Sequence, residues 1–282
     1  MARIKSLSIL ASAGGNDYLA EQYGKVIENI ASKNISSEIK NQDLSGNPET
    51  GTVEAKRFEN SKSQAYGTAR AGGAGEKTKA KPVIVALDQD KDLIAEVEEK
   101  DVALYGVDGF VERKSANHEM VMGKDLERAF FAEMATAGTE FTPTATAVKD
   151  QVDETIVALE ETKNEFVDGV DRMYMTVIAR PSIYTKLQSD IDTLPNAATN
   201  SAAGEINIFH GCKIRKSTDL PENVDYIVQV DGSVAQPLRV TLSPAEKIPM
   251  SNAYSFGIFY SYGTKAVSPD LILVVKTPDD EA

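Results

Sequence analysis

An aspartate-rich segment at residues 88–99 has part of the spacing of a calcium-binding loop. Asp88, Asp90 and Asp92 fall at the first, third and fifth ligand positions of such a loop. Glu99 falls at the twelfth. The sixth position requires glycine for a sharp turn, but Leu93 occupies it, and the preceding VIVAL is typical of a strand. We therefore interpret the segment as a solvated acidic turn and predict no metal site there.

Residues that could support catalysis are few. The chain has two histidines, His118 and His210, and one cysteine, Cys212. His118-Glu119 begins like a zinc metalloprotease motif, but Met122 stands where the second histidine is required. We expect His118 at a helix surface or interface and His210 at a strand end, neither with a partner that would make it a catalyst, and Cys212 as a small buried side chain. The chain is therefore predicted not to be an enzyme and to bind no cofactor.

The composition narrows the functional classes further. The 282 residues carry a formal net charge of −13, which disfavours nucleic-acid binding through a general basic surface. The single cysteine excludes an internal disulfide and fits a reducing compartment. No apolar run approaches the ~20 residues that span a bilayer. The start, MARIKSLSILASAG, resembles a secretion signal, but serines interrupt its apolar stretch, and we predict a flexible or extended N-terminal arm instead.

A basic, glycine-rich segment interrupts this acidic chain. Residues 51–87 hold seven lysines and arginines against three glutamates, whereas residues 88–112 hold nine acids against two lysines. The glycines at 67–75 are not followed by the Gly-Lys-Ser/Thr of a phosphate-binding loop. The strand-like runs 52–58 and 82–87 are joined by a connection that is unusually long for the interior of a compact domain. An isolated hairpin of this kind is only marginally stable in water, so it needs another surface.

We predict that this basic hairpin lies on a neighbouring subunit and that opposite charge sets the register of the contact. The predicted contact residues of the hairpin are Lys56, Arg57, Lys62, Arg70, Lys77, Lys79 and Lys81. The candidate acidic partners are Asp88, Asp90, Asp92, Glu96, Glu98 and Glu99. A second acidic surface open to the hairpin is the segment 150–165.

Apolar spacing predicts the helices of the first half. They are expected at 17–31, at 107–136 and from Val148 to Gly169, the last with Phe166 on its apolar stripe. The stripe of the long middle helix is predicted to consist of Met120, Gly123, Leu126, Glu127, Phe130, Phe131 and Met134. At ~1.5 Å per residue this helix could reach ~40 Å, which is long for a globular protein.

Strands dominate the second half. A buried strand is predicted at 171–181, followed by a short helix, and the strands at 254–277 are expected to return and pair with 171–180. The return strand of the hairpin is expected to continue past the kink at 88–92, because Leu93, Ala95 and Val97 alternate. Helices first and strands later predict an α+β fold.

The order of these parts resembles the major capsid proteins of tailed bacteriophages, which have the Hong Kong-type capsid fold. The most specific stretch, 51–134, contains GTVEAKRFENSKSQAYGTARAGG and then IAEVEEKDVALYGVDGFVERKSANHEMVMGKDLERAFFAEM. These segments resemble the family's extended two-stranded loop (the E-loop), an acidic junction and the spine helix. DRMYMTVIARPSIYTKL resembles the strand that enters the axial domain, and FGIFYSYGTKAVSPDLILVV resembles the closing strands.

The resemblance implies a division of the chain into five parts. These are an N-terminal arm (1–50), the E-loop and acidic junction (51–106), the spine helix and peripheral domain (107–180), the axial domain (181–253), and the closing strands of the peripheral domain with a C-terminal tail (254–282). Some relatives crosslink lysine to asparagine in this loop, but no partner is marked in this sequence and no crosslink is predicted.

The function implied by the resemblance is that of a phage-head subunit. Such a protein assembles with itself into hexamers and pentamers of an icosahedral head around double-stranded DNA. The implied partners are a separate scaffolding protein and a portal, with no membrane, and the implied location is the virion after assembly in the host bacterial cytoplasm. Two alternatives remain open: an encapsulin-type nanocompartment shell, and a secreted adhesin or carbohydrate-binding protein.

Overall fold

The computed structural model of the chain describes residues 6–61, 79–102, 105–192 and 206–277. The helices are α1 (Leu7–Leu10), α2 (Ala13–Lys33), α3 (Ile35–Ile39), α4 (Glu99–Val102), α5 (Gly106–Ala137), α6 (Val148–Glu160) and α7 (Pro181–Asp192). The strands are β1 (Leu44–Ser45), β2 (Thr52–Phe58), β3 (Ala80–Ala86), β4 (Gln89–Val97), β5 (Thr139–Glu140), β6 (Met175–Ala179), β7 (Ile208–Phe209), β8 (Cys212–Lys216), β9 (Val224–Val230), β10 (Val234–Ala235), β11 (Leu238–Lys247), β12 (Tyr254–Tyr262), β13 (Lys265–Ala266) and β14 (Ile272–Lys276). Helices and mainly antiparallel sheets are thus combined in one chain, and the predicted α+β class is confirmed.

The N-terminal helices pack into the body of the chain. Leu19, Tyr23 and Val26 of α2 recur at helical spacing and are almost fully buried against α5 and the sheet of β11, β12 and β4. Leu7 and Leu10 of α1 are fully buried in the same core. The prediction of a flexible or extended start is therefore wrong for residues 6–14, whereas the helix predicted at 17–31 is confirmed as part of α2. The apolar face of α2 was recognised from the sequence, but the surface that covers it lies about 90 residues further along the chain, on α5.

Helix α5 connects the two main cores. It has 32 residues, which corresponds to about 48 Å at ~1.5 Å per residue. Its first half packs with α2, and Phe130, Phe131 and Met134 in its second half pack against a six-stranded sheet. The predicted helix is confirmed, but the predicted stripe is wrong at Met120, which is 54% exposed, whereas Met122 is fully buried. Two residues of α-helix turn a side chain to the opposite face.

His118 lies on the buried stripe of α5 and not on its surface. The residue is 5% exposed, and its Nδ1 is joined to the Tyr23 hydroxyl by a 2.9 Å hydrogen bond. Burial, together with the nearby charge of Lys114, lowers the pKa of His118. The surface position predicted for it is wrong, because a lone histidine among polar residues gave no sign that α2 covers this turn.

The acidic segment forms a strand and not a turn. β4 pairs antiparallel with β12 along its whole length, and β12 pairs with β11. Alternation along β4 buries Ala95 and Val97 and leaves Asp90, Asp92 and Glu96 exposed on the other face. The predicted alternation is confirmed. The predicted solvated turn is wrong, because pairing with a distant strand straightens the segment.

The hairpin's return strand does not continue into β4. β3 ends at Ala86 and pairs only with β2, and β4 enters a different sheet two residues later. Two glycines permit this close approach of strands. A Cβ at Gly263 would stand 1.8 Å from the Ala86 carbonyl oxygen, and one at Gly257 would stand 2.0 Å from that of Leu93. At both positions the glycine backbone packs against the neighbouring backbone, with no room for a side chain between them.

A six-stranded sheet forms the second half of the molecule, in the order β5-β14-β9-β6-β8-β7. All five residues of β6 are buried, as predicted for 171–181. Helices α6 and α7 cover one face, and the end of α5 covers the other. The predicted pairing of 254–277 with 171–180 is wrong: β14 pairs with β9, and β12 belongs to the sheet of β4. Local alternation identifies strands but does not specify which strands are neighbours.

Helix α6 is shorter than predicted. It ends at Glu160, and residues 161–170 fold back so that the Gly169 amide donates to the Thr162 carbonyl. Gly169 has a φ of +86°, a left-handed conformation that favours glycine. Phe166, predicted on the helix stripe, therefore lies in this turn, where it meets the hairpin.

Candidate interaction surface

The hairpin formed by β2 and β3 has little core of its own. Ala55 and Val85 are buried with Ala235 and Val267 in a small cluster near its root. Further along β2, Phe58 is 55% exposed, although the Asn60 amide just beyond the strand still donates to the Glu165 carbonyl of the body. Residues 62–78, which connect the strands, lie outside the described residues. The hairpin thus presents large surfaces that the rest of its own chain does not cover.

Arg57 fastens the hairpin to the body. Its guanidinium donates two hydrogen bonds to the Asp270 carboxylate, at 2.5 and 2.8 Å, and lies over the Phe166 ring at 4.1 Å from the centroid. Asn164 also donates to Asp270. Burial alone would raise the pKa of Asp270, but the hydrogen bonds and charge of Arg57 hold that pKa below its usual value. Arg57 was predicted to contact a neighbour; within the single chain it forms an internal clamp.

The lysines of the hairpin point into solvent. Lys56 is 4.0 Å from Glu54, and Lys79 is 3.6 Å from Glu59, both pairs being formed within the hairpin. Lys81 is exposed beside the cavity described below. Exposed pairs of this kind contribute little to stability, so these ammonium groups remain available to another molecule. The remaining predicted contact residues lie outside the described residues: Lys62, Arg70 and Lys77.

The six candidate acidic residues lie along and beside β4. Asp88 precedes the strand, and Glu98 and Glu99 follow it at the start of α4. Asp90 accepts a hydrogen bond from Ser261, and Glu98 pairs with Lys100. The other two, Asp92 and Glu96, are exposed on the outer face of the strand.

This outer sheet face is both acidic and apolar. Ile94 is 42% exposed and Phe259 of the neighbouring strand is 46% exposed, among the carboxylates of β4. No ion pair in the described ranges joins the hairpin lysines to these acids, so one chain does not satisfy both surfaces. The same residues contain no group of His, Cys, Asp and Glu side chains arranged to hold a metal ion.

A cavity of about 880 Å³ separates the hairpin from the body. Its walls include Val83, Phe166 and Val267, and Lys81 and Lys265 also line it.

Pro82 lies beside this cavity on the outer edge of β3. The Glu59 amide donates to the Lys79 carbonyl, so the backbone N–H and C=O groups of the odd-numbered residues of β3 point towards β2. The backbone nitrogen of Pro82 points away from β2, and the proline therefore removes no hydrogen bond between the strands. A proline here blunts the strand edge against unspecific pairing.

The remaining residues with reactive side chains serve the fold. His210, with a φ of +48°, stands in the turn between β7 and β8, and its Nδ1 is 2.7 Å from Asp153 of α6. His210 thus lies at a strand end, as predicted, with a carboxylate partner on α6. Cys212 is buried as predicted, and burial raises the pKa of its thiol to about 11. None of the helices in the described ranges is long and apolar enough to cross a membrane.

Comparison with known proteins identifies the fold by structure rather than by sequence. No protein-family model matches the chain, and no curated protein matches its sequence. Solved structures do match. One from Mycobacterium phage Che8 is 17% identical with a TM-score of 0.60, over 86% of this chain and 91% of that one. The capsid of the cyanophage P-SCSP1u is 14% identical with a TM-score of 0.62, over 86% and 88%.

The chain has the phage-capsid fold.

The match extends to a particle outside the phages. A virus-like particle from Pyrococcus furiosus is 16% identical with a TM-score of 0.55, over 92% of this chain and 99% of that one. The similarity of the structures shows the fold alone, which is the predicted Hong Kong-type capsid fold. In the terms of that fold, the β2–β3 hairpin corresponds to the E-loop and α5 to the spine helix.

Proposed function

We propose that this chain is the major capsid protein of a phage head and assembles with itself into hexamers and pentamers. The observation that supports this function most strongly is a capsid fold over nearly the whole chain, combined with a hairpin that lacks a core of its own. One other feature agrees: burial raises the pKa of the Cys212 thiol, which makes it a poor nucleophile.

Assembly would bring together the two surfaces that one chain leaves unsatisfied. In this proposal Lys56, Lys79 and Lys81 of one hairpin, with Lys62, Arg70 and Lys77, approach the acidic outer face of β4 on the next subunit. The exposed Ile94 and Phe259 supply apolar area there. Such a contact is heterologous and closes into a ring. Opposite charge would fix its register and speed encounter more than it raises affinity.

The remaining parts of the function follow from the same proposal. The five-part division of the chain, the separate scaffolding protein, the portal and the enclosed double-stranded DNA are proposed by analogy with the phage-head role. The protein would assemble in the host cytoplasm and remain in the virion. Its net charge of −13 would limit adhesion of the shell to packaged DNA.

Electron microscopy of the purified protein tests this function. We expect closed shells, or rings of five and six subunits, under at least one condition of salt and crowding agent. Only monomers, or closed oligomers other than rings of five or six subunits, under every condition would refute it. Matched neutral variants of the hairpin lysines would show whether ring formation depends on their charge.

The encapsulin-type alternative uses the same subunit fold and differs in what the shell encloses. The match to a virus-like particle keeps this second candidate open. Neighbouring terminase, portal and tail genes would support the phage head, whereas a neighbouring cargo-enzyme gene would support the nanocompartment. A secreted adhesin would instead have a mature N-terminus near Gly14, which N-terminal sequencing detects.

A further inference from the structure

A second groove lies at the root of the hairpin, away from the cavity beneath it. Its volume is about 410 Å³. Helix α2 forms one wall through Ile27, the turn before the hairpin contributes Leu44 and Pro48, and Val53 and Leu238 complete the apolar lining. Ile27 is 38% exposed although it lies in this groove. The groove therefore borders both the body and the first residues of the hairpin.

Lys40 is the cation of this groove. It follows α3 directly and is partly buried, and burial lowers the pKa of its ammonium. Within the described residues its ammonium has no hydrogen bond or ion pair. Lys25 and Lys33, by contrast, pair with Glu21 and Glu119. Partial burial of a charge without a partner is unfavourable. A carboxylate brought from outside would remove this penalty.

The composition of the segments outside the described residues indicates which one suits the groove. Residues 1–5 and 62–78 are net basic and would be repelled by Lys40. Residues 193–205 carry a single charged residue, Glu205. Residues 278–282 read Pro-Asp-Asp-Glu-Ala, with three consecutive acids and no base. This segment (the acidic tail) is the one that complements a lone lysine in an apolar groove.

The acidic tail of the same chain is badly placed to fill this groove. Thr277, which precedes it, donates to the Asn223 carbonyl at the start of β9. The groove lies beyond the other end of β9, where Asn41 donates to the Gly232 carbonyl. The seven residues of β9 separate the two points by ~20 Å at ~3.3 Å per residue. The tail would have to reverse direction and run back along the whole strand.

We propose that the groove at the hairpin root receives the acidic tail of a second copy of this chain, with a tail carboxylate pairing with Lys40. This inference rests on the proposed self-assembly. The occupant would touch α2, the turn before the hairpin and Val53 at once. Binding of a neighbouring copy would thus help to fix the position of the hairpin root relative to α2.

Zero-length carbodiimide crosslinking of the full chain tests the proposal. Equal amounts of unlabelled and nitrogen-15-labelled protein are mixed before assembly, crosslinked and digested for mass spectrometry. We expect Lys40 linked to Asp279, Asp280 or Glu281, with mixed-isotope pairs. Lys33 is the matched control, because it is equally close to α3 but already pairs with Glu119; it should give no tail link.

A charge swap gives an independent test. Lys40→Glu and the double variant Asp279→Lys/Asp280→Lys should each lower the yield of assembled particles by about tenfold, equivalent to ~1.4 kcal/mol. Their combination should restore it, and circular dichroism should show each variant folded. The inference fails if particles form normally without a Lys40–tail link, if only same-isotope links appear, or if the combined variant is no better than either part. If no particles form in the wild type, the proposed function fails, whereas a mixed-isotope Lys40–tail link in small oligomers would still support the groove contact.

Discussion

Replacing Arg57 with methionine should release the hairpin from the body without unfolding the protein. Methionine keeps an unbranched apolar side chain near Phe166 but removes both hydrogen bonds to Asp270. Hydrogen bonds to charged groups contribute about 1.5–3 kcal/mol each when buried. The Asp270 side chain is 35% exposed, so we take about 2 kcal/mol for the pair after screening by solvent. The lost stacking on Phe166 adds about 0.5–1 kcal/mol.

Hydrogen exchange measured by mass spectrometry would report this release. A loss of about 2.5–3 kcal/mol corresponds to roughly 60- to 150-fold faster opening. The undocked hairpin is marginally stable, so peptides covering 52–58 and 80–86 should exchange faster by this order. Peptides of β6 and β9, which lie in the buried sheet, should not change.

Arg215→Met is the matched control, because Arg215 also donates hydrogen bonds to both oxygens of one carboxylate, that of Glu38. It should leave the hairpin peptides unchanged. Unchanged exchange of the hairpin in Arg57→Met would refute the clamp.

The stability that the clamp gives the hairpin should also depend on pH, because the pKa of Asp270 is lower in the folded chain. This contribution is fully present above the ordinary aspartate pKa of about 3.9 and is lost as the pH falls through the lower pKa of the folded state.

Three further predictions concern other parts of the chain. Gly257→Ala should destabilise the fold by at least ~3 kcal/mol in denaturant unfolding, because its Cβ would overlap the Leu93 carbonyl oxygen, whereas Gly14→Ala, with open space around it, should not. Stability should fall as the pH drops below about 6.5, since the unfolded chain binds a proton that buried His118 excludes, and His118→Gln should reduce this slope in thermal unfolding. Lys79→Glu with Lys81→Glu should leave the monomer folded but weaken assembly, and added salt should weaken wild-type assembly in the same way; assembly indifferent to both would contradict electrostatic docking of the hairpin.

Local sequence patterns predicted most helices and strands, because burial of one face makes apolar residues recur with the period of the helix or strand. The alternation of Leu93, Ala95 and Val97 identified β4, and the stripe ending at Phe130 and Phe131 identified α5. Helix α2 was also found from its apolar spacing. These features depend on neighbouring residues alone, and the chain did not need to be folded to show them.

The errors share a different cause, which is pairing between distant segments. Nothing in β4 indicates that β12, about 165 residues later, straightens it. Nothing near His118 shows that Tyr23 covers it. The clamp between Arg57 and Asp270 spans 213 residues and could not be read from either end. A basic hairpin therefore looked wholly external, although one of its charges faces inward.

The two-residue link between β3 and β4 has a mechanical consequence. β4 and β12 are fastened to α5 at one point, since Lys91 and the Tyr260 hydroxyl both bond to Asp125. A force that a neighbouring subunit exerts on the hairpin would therefore reach the middle of the long helix through this short link, β4 and Asp125. Assembly would in that way load the longest element of the subunit and not its surface alone.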